Sequence, residues 1–555
     1  MSIDRDRLRW NGWGYRDRAF RLSPEQLSAL VASLGARFGR PLVPGAPAAG
    51  LDGVQVPASR ANSALLDRLS DVLAARDIRT SPRERALHAA GKSLPDLLRL
   101  RSGRLERAPD AVVYPRDPAS VQRLLALAAE LELAIVPFGG GTSVVGGVEP
   151  LLPEGKRALI ALDTTELDRL LGFDRASSTA TLQAGIDGPA LEAALGEHGH
   201  TLGHFPQSFE HSTLGGWIAT RSSGQQSDGY GGIDDMLVSA RMLCPGGELQ
   251  TLTVPRHASG PDLRELILGS EGALGVIVEA TLRVRPAPAH HAVHGALFRD
   301  FAAGVDAVRE LAGSGLPLTM MRLSDGEETE LSLLLRRDPA RRFDPSAAFL
   351  SAARGLGYAG ERSLLLFGIE SEDPKLGAMQ LLRAQAICLR QRALPLGSAP
   401  GRSWQKERFA TPYLRDLLLD QGAAIDTLET AFEWKDLLSG HARVVAALRD
   451  AASEHAGAGI AMGHLSHSYP DGACVYFIVI YPPAQDDPVE QWRRIKRVAT
   501  EAIMDAGGTL SHHHGVGTDH QPWLAREKGP LGMQALRAIK AALDPSGVMN
   551  PGKLL

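Results

Sequence analysis

The sequence contains few cysteines, and this shortage argues against two kinds of small stabilised fold. Only Cys244, Cys388 and Cys474 occur in 555 residues, and no two of them form a Cys-x-x-Cys pair. A disulfide framework or a zinc knuckle requires cysteines at short, regular spacing. We therefore predict neither, and we expect a protein of the reducing cytoplasm.

Long apolar runs and a strong charge bias are also missing. A membrane-spanning helix needs ~20 mostly apolar residues in a row, and the longest uncharged stretch near the middle, 134–148, is shorter and broken by glycines. Near the N-terminus arginines alternate with aspartates and no apolar run follows, so no secretory leader is expected. The final Gly-Lys-Leu-Leu differs from the peroxisomal Ser-Lys-Leu. A net charge of −4 argues against a nucleic-acid partner.

The length predicts several domains, because a single hydrophobic core stops growing near ~250–300 residues. Ser23-Pro24-Glu25-Gln26 predicts a helix that starts with a capping box, and Gly35 is expected to end it. Changes of pattern then predict four parts: a helical N-terminal segment (1–105), a region of alternating strands and helices (106–286), a region with longer helices and a β-like run at 473–480 (287–487), and a helical tail (488–555).

The most informative segment is a glycine-rich loop that directly follows a predicted strand at 134–138. It reads Pro137, Phe138, Gly139, Gly140, Gly141, Thr142 and Ser143. Consecutive glycines and hydroxyl residues expose several backbone N–H groups in one concavity, which binds a phosphate or pyrophosphate. No Gly-Lys-Ser/Thr follows, and no helix opens inside the glycine run, so neither a Walker loop nor a Rossmann loop is predicted.

Two later segments again combine small residues with hydroxyls, which lets the main chain lie against a flat ligand. The candidate ligand-binding residues of the second segment are Gln207, Ser208, Ser212, Thr213, Thr220, Arg221, Ser222 and Ser223. Those of the third are Glu271, Gly272, Ala273, Leu274, Gly275, Val276 and Ile277.

In this order and spacing, the three segments resemble the FAD-binding half of the vanillyl-alcohol-oxidase superfamily. The resemblance implies an α+β fold, with a two-subdomain FAD-binding domain of the p-cresol methylhydroxylase (PCMH) type at 106–286. A substrate or cap domain with an antiparallel sheet flanked by helices would follow at 287–487, and the tail would return to the flavin site. The first loop contains no histidine that could tether the flavin, so we predict non-covalent FAD.

The C-terminal half contains three adjacent histidines, His512, His513 and His514, before Gly-Val-Gly. Neighbouring residues of a strand or loop project in different directions, so these three are not expected to chelate one ion together. We predict a catalytic or substrate-lining role for them and no bound metal.

This segment resembles the triple-histidine motif of the alkyldihydroxyacetonephosphate synthase family. The resemblance extends to Trp-Asn-Gly-Trp-Gly-Tyr at 10–15, to 94–98, to 322–325, and to His-Ser-Tyr at 467–469, and so covers nearly the whole chain. It implies an ether-lipid enzyme that replaces the acyl chain of acyl-dihydroxyacetone phosphate with a fatty alcohol through an adduct at N5 of the flavin. It also implies a homodimer and peripheral contact with a membrane.

Individual roles follow from the same resemblance. Tyr469 matches the family's acid/base tyrosine, although Pro470 departs from the motif. Arg322 lies in an apolar context and matches the arginine that binds the substrate, whose phosphate suits a forked guanidinium. Arg408 is the second phosphate candidate. Arg415 is expected to pair with an aspartate of its own helix and to be structural.

Two other functions remain open at this stage. Gly463-His464 followed by a later histidine resembles a motif of the FAD-linked 2-hydroxyacid dehydrogenases, which hold a metal near the flavin. If this chain were such an enzyme, His464, Asp471 and His513 would hold the metal. The chain lacks the Gly-Asp-Gly-Asn of those enzymes, and His513 replaces their glutamate. The third possibility is a non-catalytic flavoprotein, which would have no need of the histidines and the tyrosine.

Overall fold

The computed structural model describes residues 3–45, 47–337 and 345–555. The N-terminal segment contains four helices. Ser23 Oγ accepts the Gln26 N–H at 3.2 Å, and the Gln26 side chain accepts the Ser23 N–H, so the capping box forms. The prediction that this helix ends at Gly35 is wrong, because the left-handed residue that caps it is Gly39 (φ 65°). The four helices of the segment are α1 (Pro24–Phe38), α2 (Ser63–Ser70), α3 (Pro82–Leu87) and α4 (Leu94–Ser102).

The first sheet has four strands in the order β1-β2-β4-β3, and one helix, α5, lies between β2 and β3 along the chain. The pairs β2-β4 and β3-β4 are parallel, and β1 joins antiparallel. Asp117 caps the N-terminus of this helix. The apolar face of the helix, with Val121, Leu124 and Leu125, packs against the sheet. The bounds are β1 (Ile78–Arg79), β2 (Ala111–Val113), α5 (Pro118–Glu130), β3 (Ala134–Phe138) and β4 (Leu159–Asp163).

The second sheet is antiparallel, in the order β5-β6-β10-β8-β9, and a two-stranded ribbon, β7-β11, lies beside it. Its strands are β5 (Leu170–Asp174), β6 (Thr179–Gln183), β7 (His200–Thr201), β8 (Leu237–Cys244), β9 (Gly247–Gln250), β10 (Val276–Arg283) and β11 (Arg285–Pro286). Five helices belong to this part: α6 (Gly188–Gly196), α7 (Leu214–Thr220), α8 (Ser227–Tyr230), α9 (Ile233–Met236) and α10 (Arg264–Ile267).

The third sheet is a seven-stranded antiparallel sheet in the order β15-β12-β14-β13-β17-β18-β16, flanked by helices. Its strands are β12 (His290–Phe298), β13 (Leu318–Ser324), β14 (Ser363–Ser371), β15 (Leu394–Gly397), β16 (Ala424–Glu433), β17 (Ile460–Ser468) and β18 (Gly472–Tyr481). The helices are α11 (Phe301–Ala312), α12 (Gly326–Arg336), α13 (Pro345–Gly355), α14 (Pro374–Arg390), α15 (Ala399–Glu407), α16 (Leu414–Asp420) and α17 (Trp434–Ala456). The predicted α+β architecture with a helix-flanked antiparallel sheet is confirmed.

The tail forms two helices, α18 (Pro488–Asp505) and α19 (Gln521–Leu543), and then returns to the first sheet. Met549 bridges Ile135 of β3 in parallel. The Asn550 side-chain amide donates to the carbonyls of Gly147, at 3.0 Å, and Glu271, at 2.6 Å. The last residues therefore tie two of the predicted ligand loops together.

The first residues of the described chain also cross between domains. Arg5 pairs with buried Asp163 at the end of β4 and donates to the carbonyl of Gly139 in the first glycine loop. Trp13 is buried and donates its backbone N–H to Asp416 of α16 at 2.8 Å. Across the described ranges, no helix combines the length and apolar character needed to cross a bilayer.

Candidate functional site

A cavity of about 1110 Å³ lies where the three predicted ligand loops meet the third sheet. Strand β3 delivers the first loop to one wall, and β13, β17 and β18 supply the opposite wall. The tail closes the space with His513 and His514. The cavity thus gathers segments that are hundreds of residues apart in the sequence.

Every predicted residue of the first loop, Pro137 to Ser143, lines this cavity. The backbone N–H groups of Gly140, Gly141 and Thr142 donate to no acceptor within the described ranges, so they are available to an anion. Gly141 has a φ of 67°, which a residue with a side chain rarely adopts. A Cβ at Gly140 would lie 1.9 Å from the carbonyl oxygen of His211. Glycine is required at Gly140 because the second loop packs against it, and this contact also shapes the nest.

Most residues predicted for the second and third loops also line the cavity. They are Gln207, Ser208, Ser212, Thr213, Thr220, Ser222, Ser223, Glu271, Gly272, Gly275, Val276 and Ile277. Three others do not line it. Arg221 forms ion pairs with Glu265, at 2.5 Å, and Asp234, at 3.8 Å, and Ala273 and Leu274 are buried behind the loop.

These features fit an FAD molecule on chemical grounds. The unpaired N–H groups of the first loop form a nest for a pyrophosphate. The small and hydroxyl residues of the second and third loops leave room for a flat ring system against the main chain. These loops would therefore hold the cofactor, which supplies a reactive flavin ring when it is bound.

The histidine triplet is held by a buried glutamate that sequence analysis missed. Glu429 of β16 accepts the backbone N–H groups of His512, His513 and His514 at 2.5, 3.2 and 2.9 Å. It also accepts the Ser511 hydroxyl at 2.6 Å. Burial raises the pKa of this carboxyl, but its attraction to His513 and His514 outweighs burial and holds the pKa well below its ordinary value. The residue is 2% exposed, so an ionised carboxylate is fixed beneath the loop.

A second carboxylate holds the Gly-Val-Gly that follows. Glu271, from the third ligand loop, accepts the N–H groups of Val516 and Gly517 at 2.6 and 2.7 Å. Burial raises the pKa of the Glu271 carboxyl to about 7. The triplet loop is thus anchored to the FAD-binding half through Glu271 and to the third sheet through Glu429.

The predicted tyrosine and a second tyrosine occupy different positions. Tyr469 follows β17, is 41% exposed and does not line the cavity, and its hydroxyl lies 2.7 Å from Nε2 of His512. Tyr476 of β18 does line the cavity, and its ring stacks on His464 with centroids 5.0 Å apart. Burial raises the pKa of the Tyr476 phenol to about 12. The acid/base role predicted for Tyr469 stays a prediction, and Tyr476 is the phenol at the cavity.

Both arginines predicted to bind phosphate line the cavity, and each already has partners. Arg322 donates to Glu328 at 2.6 Å and lies 3.3 Å from Nδ1 of His464. Arg408 donates to Gln226 at 3.1 Å, and its guanidinium lies 4.7 Å from the centroid of the Phe205 ring. Arg322 therefore has a buried counter-charge, the Glu328 carboxylate.

The pairing predicted for Arg415 does not form. Its expected partner Asp416 accepts from Trp13 and Arg9 instead, and Asp420 pairs with Arg101. Nε and Nη2 of Arg415 are buried and have no hydrogen-bond partner within the described ranges. Burial lowers the pKa of this guanidinium, and Asp416 opposes the change. An unpaired buried cation is costly, and this one lines the cavity, so it is suited to an anionic ligand.

One group of side chains has the donor types and the spacing of a metal site. Ligand atoms of Glu429, Cys474, His512 and His513 lie within 4.8 Å of one another. We do not assign a metal to it, because the Glu429 oxygens already accept four hydrogen bonds and burial raises the pKa of the Cys474 thiol well above its ordinary value. The alternative trio of His464, Asp471 and His513 does not form such a group within the described ranges.

Comparison with known proteins agrees with this geometry. Residues 109–253 match the model of an FAD binding domain, and residues 287–554 match that of the C-terminal domain of FAD linked oxidases. An alkyldihydroxyacetonephosphate synthase of Dictyostelium discoideum is 34% identical over 99% of this chain and 93% of that protein.

Solved structures extend the comparison to the fold. A solved alkyldihydroxyacetonephosphate synthase covers 100% of both chains at 31% identity with a TM-score of 0.84. p-Cresol methylhydroxylase with substrate bound covers 88% of this chain and 95% of its own at 14% identity and a TM-score of 0.64, which shows a shared fold alone. The chain binds FAD and belongs to the alkyldihydroxyacetonephosphate synthase family.

Proposed function

We propose that this protein exchanges the acyl chain of acyl-dihydroxyacetone phosphate for a fatty alcohol, as a step of ether-lipid synthesis. The observation that carries the proposal is the cavity, which combines an FAD-binding wall, an unpaired cation, a phenol and an apolar end. A 2-hydroxy acid is small and has no use for a large apolar wall.

The apolar end of the cavity is formed by side chains of one hydrophobic cluster. It is lined by side chains of the N-terminal segment, α12, α16 and the third sheet, namely Phe20, Leu22, Leu331, Leu335, Leu414, Ile425, Met462 and Ile478. Burying a methylene group is worth about 0.8 kcal/mol, so a chain of many methylenes would bind here strongly. This chamber supports a substrate with a fatty chain.

Three arginines that line the cavity, Arg415, Arg322 and Arg408, are candidates to bind the phosphate of the substrate. Arg415 is the strongest candidate, because the protein supplies no partner for two of its nitrogens. Arg322 would exchange part of its pairing with Glu328 for the phosphate. A guanidinium offers a forked pair of donors that matches phosphate oxygens.

Bound flavin supplies the reactive ring system, and the protein's own residues orient the chains and move the proton. Tyr476 is better placed than Tyr469 for direct proton transfer, because its phenol lines the cavity next to His464 and His513. Tyr476→Phe should lower turnover by roughly 10²–10⁴-fold, the usual contribution of an acid/base group. Tyr469→Phe should have the smaller effect, and the opposite order would restore the direct role to Tyr469.

The exchange assay tests the proposal itself. FAD-loaded protein is incubated with palmitoyl-dihydroxyacetone phosphate and radiolabelled hexadecanol, and labelled alkyl-dihydroxyacetone phosphate is separated and counted. Gly140→Val protein, which should lack flavin, is the control. A wild-type protein that forms no more alkyl product than this control would refute the proposal.

We also propose a homodimer in the cytoplasm that contacts membranes peripherally. Helix α14 supports the membrane contact, since Leu376, Met379, Leu382 and Leu389 are exposed on it. Its charged residues are all basic, which suits an anionic lipid surface. Flotation with phosphatidylserine vesicles tests the membrane contact, and a protein that stays at the bottom of the gradient would contradict it. Sedimentation equilibrium tests the homodimer, and a protein that sediments as a monomer would contradict it.

A further inference from the structure

The exchange reaction brings two different anions into the cavity, and only one of them is the phosphate. This inference rests on the proposed function. The bond between the sugar carbon and the ester oxygen breaks, and its electron pair stays with the oxygen. The fatty acid therefore leaves as a carboxylate, since carboxyl groups have a pKa near ~4. The alcohol oxygen then bonds to the carbon, and the hydroxyl proton is released to water. A carboxylate with an apolar chain thus forms in the cavity.

Arg408 contacts a different part of the cavity wall from the other two arginines. Its Nη1 donates to Oε1 of Gln226, a buried residue of the FAD-binding half, at 3.1 Å. Arg322 instead pairs with a glutamate of α12, and the guanidinium of Arg415 lies 5.6 Å from the centroid of the Trp13 ring. Arg408 is therefore available to an anion other than the phosphate.

The charge of Arg408 has no direct counter-charge from the protein. Within the described ranges its guanidinium forms no ion pair with a carboxylate. The rings of Phe205, Phe409 and Trp404 surround it, with centroids at 4.7, 4.8 and 5.8 Å. Aromatic faces attract a cation without neutralising it. Burial lowers the pKa of this guanidinium, and Glu370 opposes the change without touching it. A bound anion would supply the missing counter-charge.

Gln226 is itself held from behind, which fixes the direction of its side chain. Its Nε2 donates to the Glu370 carboxylate of β14 at 2.6 Å. Glu370 also accepts the hydroxyl of Tyr230 and contacts Nδ1 of His291. The amide oxygen of Gln226 is thereby turned toward Arg408, while the Glu370 charge is shared among other partners. The guanidinium is positioned by a neutral group and keeps its full charge for a ligand.

An apolar surface adjoins this guanidinium. Trp404 packs against a cluster of Val293, Met320 and Leu366, and three of these four side chains line the cavity. They are Met320, Leu366 and Trp404, which we call the Trp404 wall. This cluster is separate from the one that forms the apolar end of the cavity. The cavity therefore has two apolar surfaces, and the exchange reaction handles two aliphatic chains.

We propose that Arg408 and the Trp404 wall form a subsite for the fatty acid that leaves. The forked donors of the guanidinium match the two oxygens of a carboxylate, so Arg408 stabilises the negative charge that develops as the ester bond to the sugar carbon breaks. The acyl chain lies along the Trp404 wall. Arg415 remains for the phosphate, and the apolar end of the cavity remains for the chain of the alcohol.

Calorimetric titration of the FAD-loaded protein with decanoate tests the subsite, and decanol serves as the uncharged counterpart. Arg408→Gln should weaken decanoate binding by roughly 10-fold or more, the loss expected for hydrogen bonds to a charged group, and should leave decanol binding unchanged. Arg408→Lys should regain part of the loss. Arg402→Gln is the matched control, because it removes an exposed charge from α15 that does not line the cavity.

Two further titrations separate this subsite from the rest of the cavity. Dihydroxyacetone phosphate should bind Arg408→Gln as it binds wild type and should bind Arg415→Lys more weakly. Leu366→Ala, which alters the Trp404 wall, should weaken decanoate binding. Leu331→Ala, which alters the apolar end, should not.

Four results would overturn the subsite. They are a wild type that does not bind decanoate, an Arg408→Gln protein that binds it equally well, an Arg408→Gln protein that loses dihydroxyacetone phosphate as strongly as decanoate, and an Arg408→Gln protein without FAD. The last two would assign the arginine to the phosphate or to the cofactor. The proposed function is decided separately by the exchange assay on wild type. If that assay gives no alkyl product, the role of the acid as a leaving group fails, whereas the decanoate titration still decides whether Arg408 binds a carboxylate.

Discussion

Replacing Glu429 by glutamine should release the triple-histidine loop while leaving the rest of the fold in place. One carboxylate oxygen accepts from Ser511, His513 and His514, and the other accepts from His512. In Glu429→Gln an NH₂ group faces the N–H of His512, and the remaining three bonds lose their charge. Hydrogen bonds to charged groups are worth about 1.5–3 kcal/mol each, so we expect a loss of about 3 kcal/mol.

Hydrogen exchange measures this loss where it occurs. At about 1.4 kcal/mol per factor of ten, the amides of 512–514 should exchange roughly 10²-fold faster in Glu429→Gln. Glu433→Gln is the matched control, because Glu433 is on the same strand and its side chain is 65% exposed. Equal exchange of the peptide 509–517 in both variants would show that Glu429 does not hold the loop.

The pH dependence gives a second check on the same carboxylate. The pKa of Glu429 is lower in the folded protein than in the unfolded chain. Its contribution is therefore fully present above the unfolded pKa of about 4.3 and is lost as the pH falls through the folded value. Wild type and Glu429→Gln should consequently converge in stability in acid and differ most near neutral pH.

Three further predictions concern the cofactor and the substrate. Gly140→Val should yield protein without FAD absorbance, because the new Cβ would lie 1.9 Å from the carbonyl oxygen of His211. Gly196→Ala is the control and should stay yellow, because its Cβ would meet nothing within 4 Å. A Gly140→Val protein with full FAD content would show that this loop is not part of the site. Arg415→Lys should raise KM by roughly 10-fold or more, since a hydrogen bond to a charged group is worth ~1.5–3 kcal/mol, and an unchanged KM would return Arg415 to a structural role. The pKa of Glu271 is raised to about 7 in the folded protein, so its stabilising effect is complete below the unfolded pKa and is lost as the pH rises through 7. The difference in melting temperature between wild type and Glu271→Gln should therefore shrink from pH 5 to pH 8. A constant difference would contradict the raised pKa.

The ligand loops could be predicted from sequence because their signal is local. Consecutive glycines at 139–141 allow positive φ and a close approach of the backbone to a ligand, and glycine is disfavoured in the interior of a strand. The same local chemistry predicted the capping box at Ser23. The end of this helix was predicted wrongly, because Gly35 lies inside the helix and Gly39 has the left-handed conformation that ends it.

Glu429 and Arg415 could not be predicted in the same way, because their roles depend on contacts far along the chain. Glu429 meets a loop more than 80 residues later, and nothing in its own strand marks it as buried. Arg415 has two aspartates nearby in sequence, but Asp416 accepts from Trp13 and Asp420 pairs with Arg101, both of the N-terminal segment. Sequence spacing alone favoured the wrong partners.

The two tyrosines show a related difficulty. Alternation along β18 places Tyr476 and Ile478 on one face, and both line the cavity. Along β17 the register shifts between Leu465 and His467, so alternation no longer tells which face a later residue occupies. Tyr469 follows this irregularity, and its position at the surface emerges only from the folded sheet.

The most direct test of the central claim follows the oxygen of the alcohol. Wild-type protein is incubated with palmitoyl-dihydroxyacetone phosphate and ¹⁸O-labelled hexadecanol, and the masses of the products are measured by mass spectrometry. The account predicts an alkyl product that retains ¹⁸O, one unlabelled palmitate for each alkyl product, and no net reduction of the flavin. An absence of alkyl product, together with flavin that is bleached anaerobically by a 2-hydroxy acid, would contradict it.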